Sequence, residues 1–153
     1  MYKKILVPVD GSDTSLLGLQ EAIRLANDQK AALRLLHVVH DFFVAAGHGA
    51  AIYTSQLRKD LRERGEEIIK QAADTARAQG VEAETRIVET PAGSVGEMIV
   101  EQAQEWPADL LVLGTHGRRG VRRLLMGSDA EYVVRMTPVP VLLVRGSKAP
   151  PKE

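Results

Sequence analysis

Apolar residues along the chain fall into two alternating kinds of pattern. Short, nearly unbroken runs recur at "KKILVPV" (3–9), "AALRLLHVV" (31–39), "ADLLVLG" (108–114) and "VPVLLVR" (139–145). Each has the length of a strand, and turn formers such as Asp10-Gly11-Ser12 stop them. A fifth segment, "VEAETRIVE" (81–89), sets Val81, Ala83, Thr85 and Ile87 against Glu82, Glu84, Arg86 and Val88. That half-exposed alternation suits a strand near the margin of a sheet.

Between the runs the spacing changes to three and four residues. Leu16, Leu19, Ile23 and Ala26 predict a first helix, with Ser12 or Asp13 as its cap. Leu57, Leu61, Gly65, Ile68, Ala72 and Ala76 trace one face of a long charged helix that Gly80 closes. A third helix starts at Ser94, where "SVGE" is a capping box with Glu97, and Met98, Ile99 and Ala103 continue it. A fourth covers about 128–136.

Five strands alternating with four helices predict parallel pairing by right-handed crossovers, with helices on both faces: a doubly wound α/β domain. Ligands of such sheets bind beyond the carboxyl ends of the strands, where strand order reverses. The chain of 153 residues is sized for one domain, placed at 1–146 with 147–153 as a flexible tail.

Composition narrows the function classes. Lys plus Arg balances Asp plus Glu at 20 each, so no overall basic field points to nucleic acid or an anionic membrane. There is no cysteine, hence no disulfide, thiolate metal site or cysteine nucleophile. The opening "MYKKILVPVDGSD" has too short an apolar stretch for a signal core or a membrane span, and a cytoplasmic location is the expectation. His37, His40, His48 and His116 show no metal-ligand spacing.

The candidate chemistry lies in "GTHGRRGVRRLLMGS" (114–128), far longer than the roughly 2–6 residues such connections usually take. Glycines let several backbone N–H groups face one concavity, and Gly127-Ser128 stands where the next helix begins, an arrangement that receives phosphate. No Walker A sequence, no G-x-G-x-x-G after the first strand and no G-x-S-x-G elbow occurs. Gly114, two residues, Gly117, nine residues, then Gly127 and Ser128 resembles the nucleotide motif of the universal stress protein family, in its ATP-binding branch. "KKILVPVDGSDTS", "LLHVV", "ADLLVLGTHGRRG" and "GSDAEYVVRMTPVPVLLVR" are similar to family segments in the family order.

That resemblance implies a sheet of order 3-2-1-4-5, with Asp10 and a main-chain group at Val38 holding the adenosine end of ATP. It implies that Gly114, Gly117, Gly127 and Ser128 hold ribose and phosphates, often with Mg2+ or Mn2+, and that copies pair as homodimers through the final strand. A protein partner that reads the bound state also belongs to this picture.

Competing readings remain open at this point. Asp10 also fits a plain turn or cap, and single glycines fit plain turns. Arg118, Arg119, Arg122 and Arg123 suit either a solvated face or one phosphate contact. The apolar loop at 40–53, with Phe42 and Phe43, is either a lid or packing for the long helix. ATP hydrolysis needs a positioned base or water-orienting group, and none stands out, so a regulatory binding role leads. Slow ATPase or autophosphorylating activity and a nucleotide-independent dimerising module are the alternatives. The loop "VDGSDTS" departs too far from the S-G-G-x-D-S of ATP pyrophosphatases to support that chemistry.

Overall fold

The first run of aliphatic residues forms strand β1 (Lys4–Pro8), and the chain then turns at Gly11, whose φ of 81° suits a residue without Cβ. Helix α1 (Asp13–Gln29), strand β2 (Ala32–His40), helix α2 (Ser55–Ala78) and strand β3 (Ala83–Thr90) follow. Helix α3 (Val95–Glu105), strand β4 (Leu110–Thr115), helix α4 (Ser128–Met136) and strand β5 (Val141–Arg145) complete the order. The computed structural model describes residues 1–40, 55–90, 93–115 and 127–146. The predicted lid with Phe42, Phe43 and His48, the loop residues His116, Gly117, Arg118, Arg119, Arg122 and Arg123, and the tail 147–153 lie outside the described residues.

All strand pairs are parallel, in the order β3-β2-β1-β4-β5, as the sequence and its resemblance predict. The alternating segment is β3, at one margin of the sheet. Strand residues alternate between two cores because successive side chains leave opposite faces. Ile5, Val7, Leu33, Leu35 and Val112 meet Leu19 and Ile23 of α1 and Ile69 and Ala72 of α2. Leu6, Leu36, Leu111 and Leu113 meet Ile99 of α3, Trp106 at its end and Val133 of α4. Each fully buried aliphatic side chain contributes about 1.5–3 kcal/mol, so both helical layers are held firmly.

Two periodicity expectations shift by a residue or two. Leu16, expected in the core, is 44% exposed, while Gly18 is buried. The reason is close approach: a Cβ on Gly18 would lie 2.8 Å from the Gly114 backbone nitrogen, so α1 rests on β4 through a glycine. In α2, Ile69 is buried and Ile68 only partly so.

The amino ends of the strands are closed by their own neighbours. The Asp109 carboxylate accepts from the Lys3 and Lys4 backbone N–H groups at 2.8 and 2.9 Å. The Arg34 guanidinium stacks 4.5 Å from the centre of the Trp106 ring and pairs with Glu84 at 2.6 Å.

Candidate functional site

At the opposite, carboxyl ends, the chain leaves β1 toward α1 and leaves β4 toward α4, so the loops diverge between those two adjacent strands. A cavity of about 270 Å³ opens there. Its floor is the strand ends Val9, His37, Val38, Leu113, Gly114 and Thr115, and its rim is the first turns of α1, α3 and α4. Asp10, Val38, Gly114 and Gly127 all line it. Ser128 is exposed as the first residue of α4, beside the lining residues Gly127 and Asp129.

Three helix N-termini therefore face one cavity, each offering unpaired N–H groups and the positive end of a helix dipole. They differ in how the sequence answers them. In α1, the Ser12 hydroxyl accepts from the Ser15 N–H at 3.2 Å, and Asp10 Oδ1 accepts from the Ser12 N–H at 2.9 Å. In α3, Ser94 and Glu97 form the predicted capping box, and Asp129 Oδ1 accepts from the Gly96 N–H at 3.1 Å. In α4, Gly127 occupies the cap position and makes no side-chain cap hydrogen bond. With no side chain at its cap position, the first turn of α4 lacks the cap that Ser12 and Ser94 give the other two helices.

Asp10 serves the turn and the cavity at once. Burial opposes its charged form, yet hydrogen bonds from the Ser12 side chain and N–H and from Ser15, with His37 nearby, hold the carboxyl below the usual aspartate range. The group is thus an ionised acceptor at neutral pH, placed at the end of β1. Its position depends on His37, to which the sequence assigned no role in the site. His37 Nδ1 donates to the Val9 carbonyl at 2.7 Å, in the residue before Asp10. Since a carbonyl only accepts, Nδ1 carries the proton. The ring fits because α2 has Gly65 there; a Cβ would lie 2.7 Å from His37 Cδ2.

Gly114 has a packing reason as well as a place in the cavity wall. A Cβ on it would sit 1.7 Å from the Thr14 carbonyl oxygen, so only glycine lets the first turn of α1 close over β4. Asp129 and Thr115, also in the wall, were not singled out by the sequence reading. Asp129 follows Gly127-Ser128 directly, and that adjacency is the signal by which it was legible. No group of three or more His, Cys, Asp or Glu residues suited to a metal ion occurs among the described residues. No helix among them is long and apolar enough to cross a membrane.

Comparison with known proteins matches residues 1–145 to the model of the universal stress protein family. Universal stress protein MJ0531 of Methanocaldococcus jannaschii is 38% identical over 97% of this chain and 85% of its own. The solved structure of hypothetical protein MJ0577 superposes with a TM-score of 0.78 at 26% identity, covering 97% of this chain and 99% of that one. A universal stress protein solved in complex with cAMP superposes with a TM-score of 0.69 at 28% identity, covering 95% and 99%.

Proposed function

The chain belongs to the universal stress protein family, and from that premise we propose that it is an ATP-binding regulator of a stress response. The observation that carries the reading is the start of α4, a helix end without a side-chain cap on a cavity whose other two helix ends are capped. Such an end receives phosphate oxygens. The relative in complex with cAMP supports an adenine nucleotide as the ligand class.

In this reading Asp10 accepts from a ribose hydroxyl or the adenine amine, and the Val38 main chain meets the base. Gly114, Gly117, Gly127 and Ser128 hold ribose and phosphates. A cavity of about 270 Å³ suits the nucleoside end, being just under the ~300 Å³ at which drug-sized sites begin. The phosphate chain then runs outward past Gly127. The carboxylate of Asp129 in the wall, next to Gly127-Ser128, fits a phosphate-bound Mg2+ or Mn2+, which take oxygen ligands. Such an ion would neutralise the phosphate oxygens.

We further propose a homodimer through β5. Its residues Val141–Val144 are half-buried at the sheet margin, and Val134 and Met136 are exposed on the helix before it. Apolar margins of this kind are normally paired. Light scattering at low micromolar concentration should give twice the chain mass, and a monomer would overturn the dimer.

The test of nucleotide binding is calorimetric titration with ATP and Mg2+, comparing the protein with a Gly127→Val, Ser128→Ala double variant. The variant should lose affinity at least about tenfold, the worth of one to two charge-assisted hydrogen bonds, while its melting temperature stays within a few degrees. A folded wild-type protein that binds no adenine nucleotide would overturn the reading and leave the dimerising module in its place.

A further inference from the structure

The start of α4 has no side-chain cap of its own, yet its place is fixed from another helix. Asp129, in the first turn, reaches across to α3, where its Oδ1 accepts from the Gly96 N–H at 3.1 Å. A carboxylate on a backbone N–H at a helix start makes one of the stronger kinds of hydrogen bond. Gly96 is buried inside a helix, where glycine is disfavoured against alanine. Close packing accounts for it: a Cβ there would come within 3.0 Å of Tyr132 Cβ and Cδ1 and 3.1 Å of the Asp129 carbonyl oxygen. The one glycine thus receives both the carboxylate of the first turn of α4 and the ring of the next.

This contact joins two parts of the cavity wall. Val95 and Ile99, which flank Gly96 in α3, line the cavity, and so do Gly127, Asp129 and Ala130 at the start of α4. The Glu131 N–H donates to the Gly127 carbonyl at 3.0 Å, so the cap residue is bonded into the turn that Asp129 anchors. The first donors of α3 are themselves engaged, the Glu97 N–H by Ser94 Oγ and the Gly96 N–H by Asp129. We propose that Asp129 is a positioning residue for phosphate: bonded to Gly96, it sets the first turn of α4 at a fixed offset from the α3 wall, so that the nucleoside and phosphate ends of a ligand meet groups held in one frame. Groups fixed before binding need no ordering by the ligand. This inference rests on the ATP-site reading and goes beyond it by naming the contact between helices that holds the phosphate end. Adenosine, which has no phosphate, makes no use of that contact.

The experiment is calorimetric titration of the full chain with ATP in excess Mg2+ and with adenosine, for wild type, Asp129→Asn, Asp129→Ala and Gly96→Ala, with thermal melting to confirm folding. The decisive comparison is asparagine against alanine. Both remove the charge, and only asparagine keeps an oxygen that accepts from Gly96. Asp129→Ala should bind ATP at least about fivefold more weakly than Asp129→Asn, the worth of one hydrogen bond, while the two bind adenosine equally. Gly96→Ala, which leaves the carboxylate in place and crowds Tyr132, should likewise weaken ATP binding and spare adenosine. Equal ATP affinities in the two Asp129 variants overturn the inference. So does a parallel loss of ATP and adenosine in Asp129→Ala, which marks a general structural role. Adenosine bound by wild type as tightly as ATP also overturns it, because α4 then contributes nothing to phosphate, while the nucleoside site stands. Folded wild type that binds neither ligand removes the ATP-site reading and this inference together.

Discussion

The two ends of the same parallel sheet are built on opposite principles. At the amino ends, polar groups answer one another: Asp109 takes the Lys3 and Lys4 N–H groups, and Arg34 lies between Trp106 and Glu84. At the carboxyl ends a cavity opens, and α4 begins without a side-chain cap. Closed contacts stabilise the chain by itself, whereas unpaired donors at a solvated cavity hold interaction energy for a ligand. The contrast teaches that the closed amino ends serve stability alone, whereas at the open carboxyl ends a residue such as Gly114 serves both packing and the cavity wall.

Substitutions at the two ends should therefore behave differently. Trp106→Ala should have the largest effect, lowering stability by about 3–4 kcal/mol through the lost side chain and its cavity, with ATP affinity unchanged when measured below the melting transition. A coupled loss of affinity would break the separation. Gly114→Ala should cost about 3 kcal/mol in urea denaturation, the upper range for overpacking, because the obstructing Thr14 oxygen is backbone and cannot swing aside. Asp10→Ala should reverse the balance, with about tenfold weaker ATP binding and stability lowered by less than about 1 kcal/mol, the typical worth of a partly exposed hydrogen bond.

The smallest effect is a pH dependence. The folded-state pKa of Asp10 is held below the ordinary value, so its ionised form stabilises the fold fully above the unfolded pKa, near about 4. That contribution is lost as pH falls through the folded pKa. Asp10→Asn keeps an acceptor for Ser12 and does not titrate. Urea denaturation at a series of pH values should show the wild-type advantage over this variant shrinking from about pH 4 downward, and a constant difference would detach Asp10 ionisation from stability.

Much of this contrast was legible before any coordinates. The aliphatic runs at 3–9, 31–39, 108–114 and 139–145 and the alternating segment at 81–89 correspond to the five strands, because parallel strands covered on both faces read as continuous apolar runs. The capping box at Ser94 was readable because its two hydrogen bonds lie within four residues. What pattern could not supply was contact between distant segments. Leu16 fits the helical spacing as well as Gly18 does, and only the approach of α1 to β4 decides which faces inward. Gly114 was read as a ligand glycine, and its fit against Thr14 depends on a neighbour a hundred residues away. Gly65 in the middle of a long helix was the one local sign that something bulky, His37, presses on that face.

The margins of the sheet also govern how far it can grow. β3 carries Glu84, Thr85 and Arg86 exposed near its outer margin, and a strand docking there would have to desolvate charged side chains. β5 carries a partly bare row of valines and leucines. Joining two copies through β5 consumes the receptive margin of each and leaves a charged β3 at both outer rims. In the proposed dimer the sheet would therefore stop growing at two copies, whereas a chain with two receptive margins would add neighbours without limit and end as a fibre.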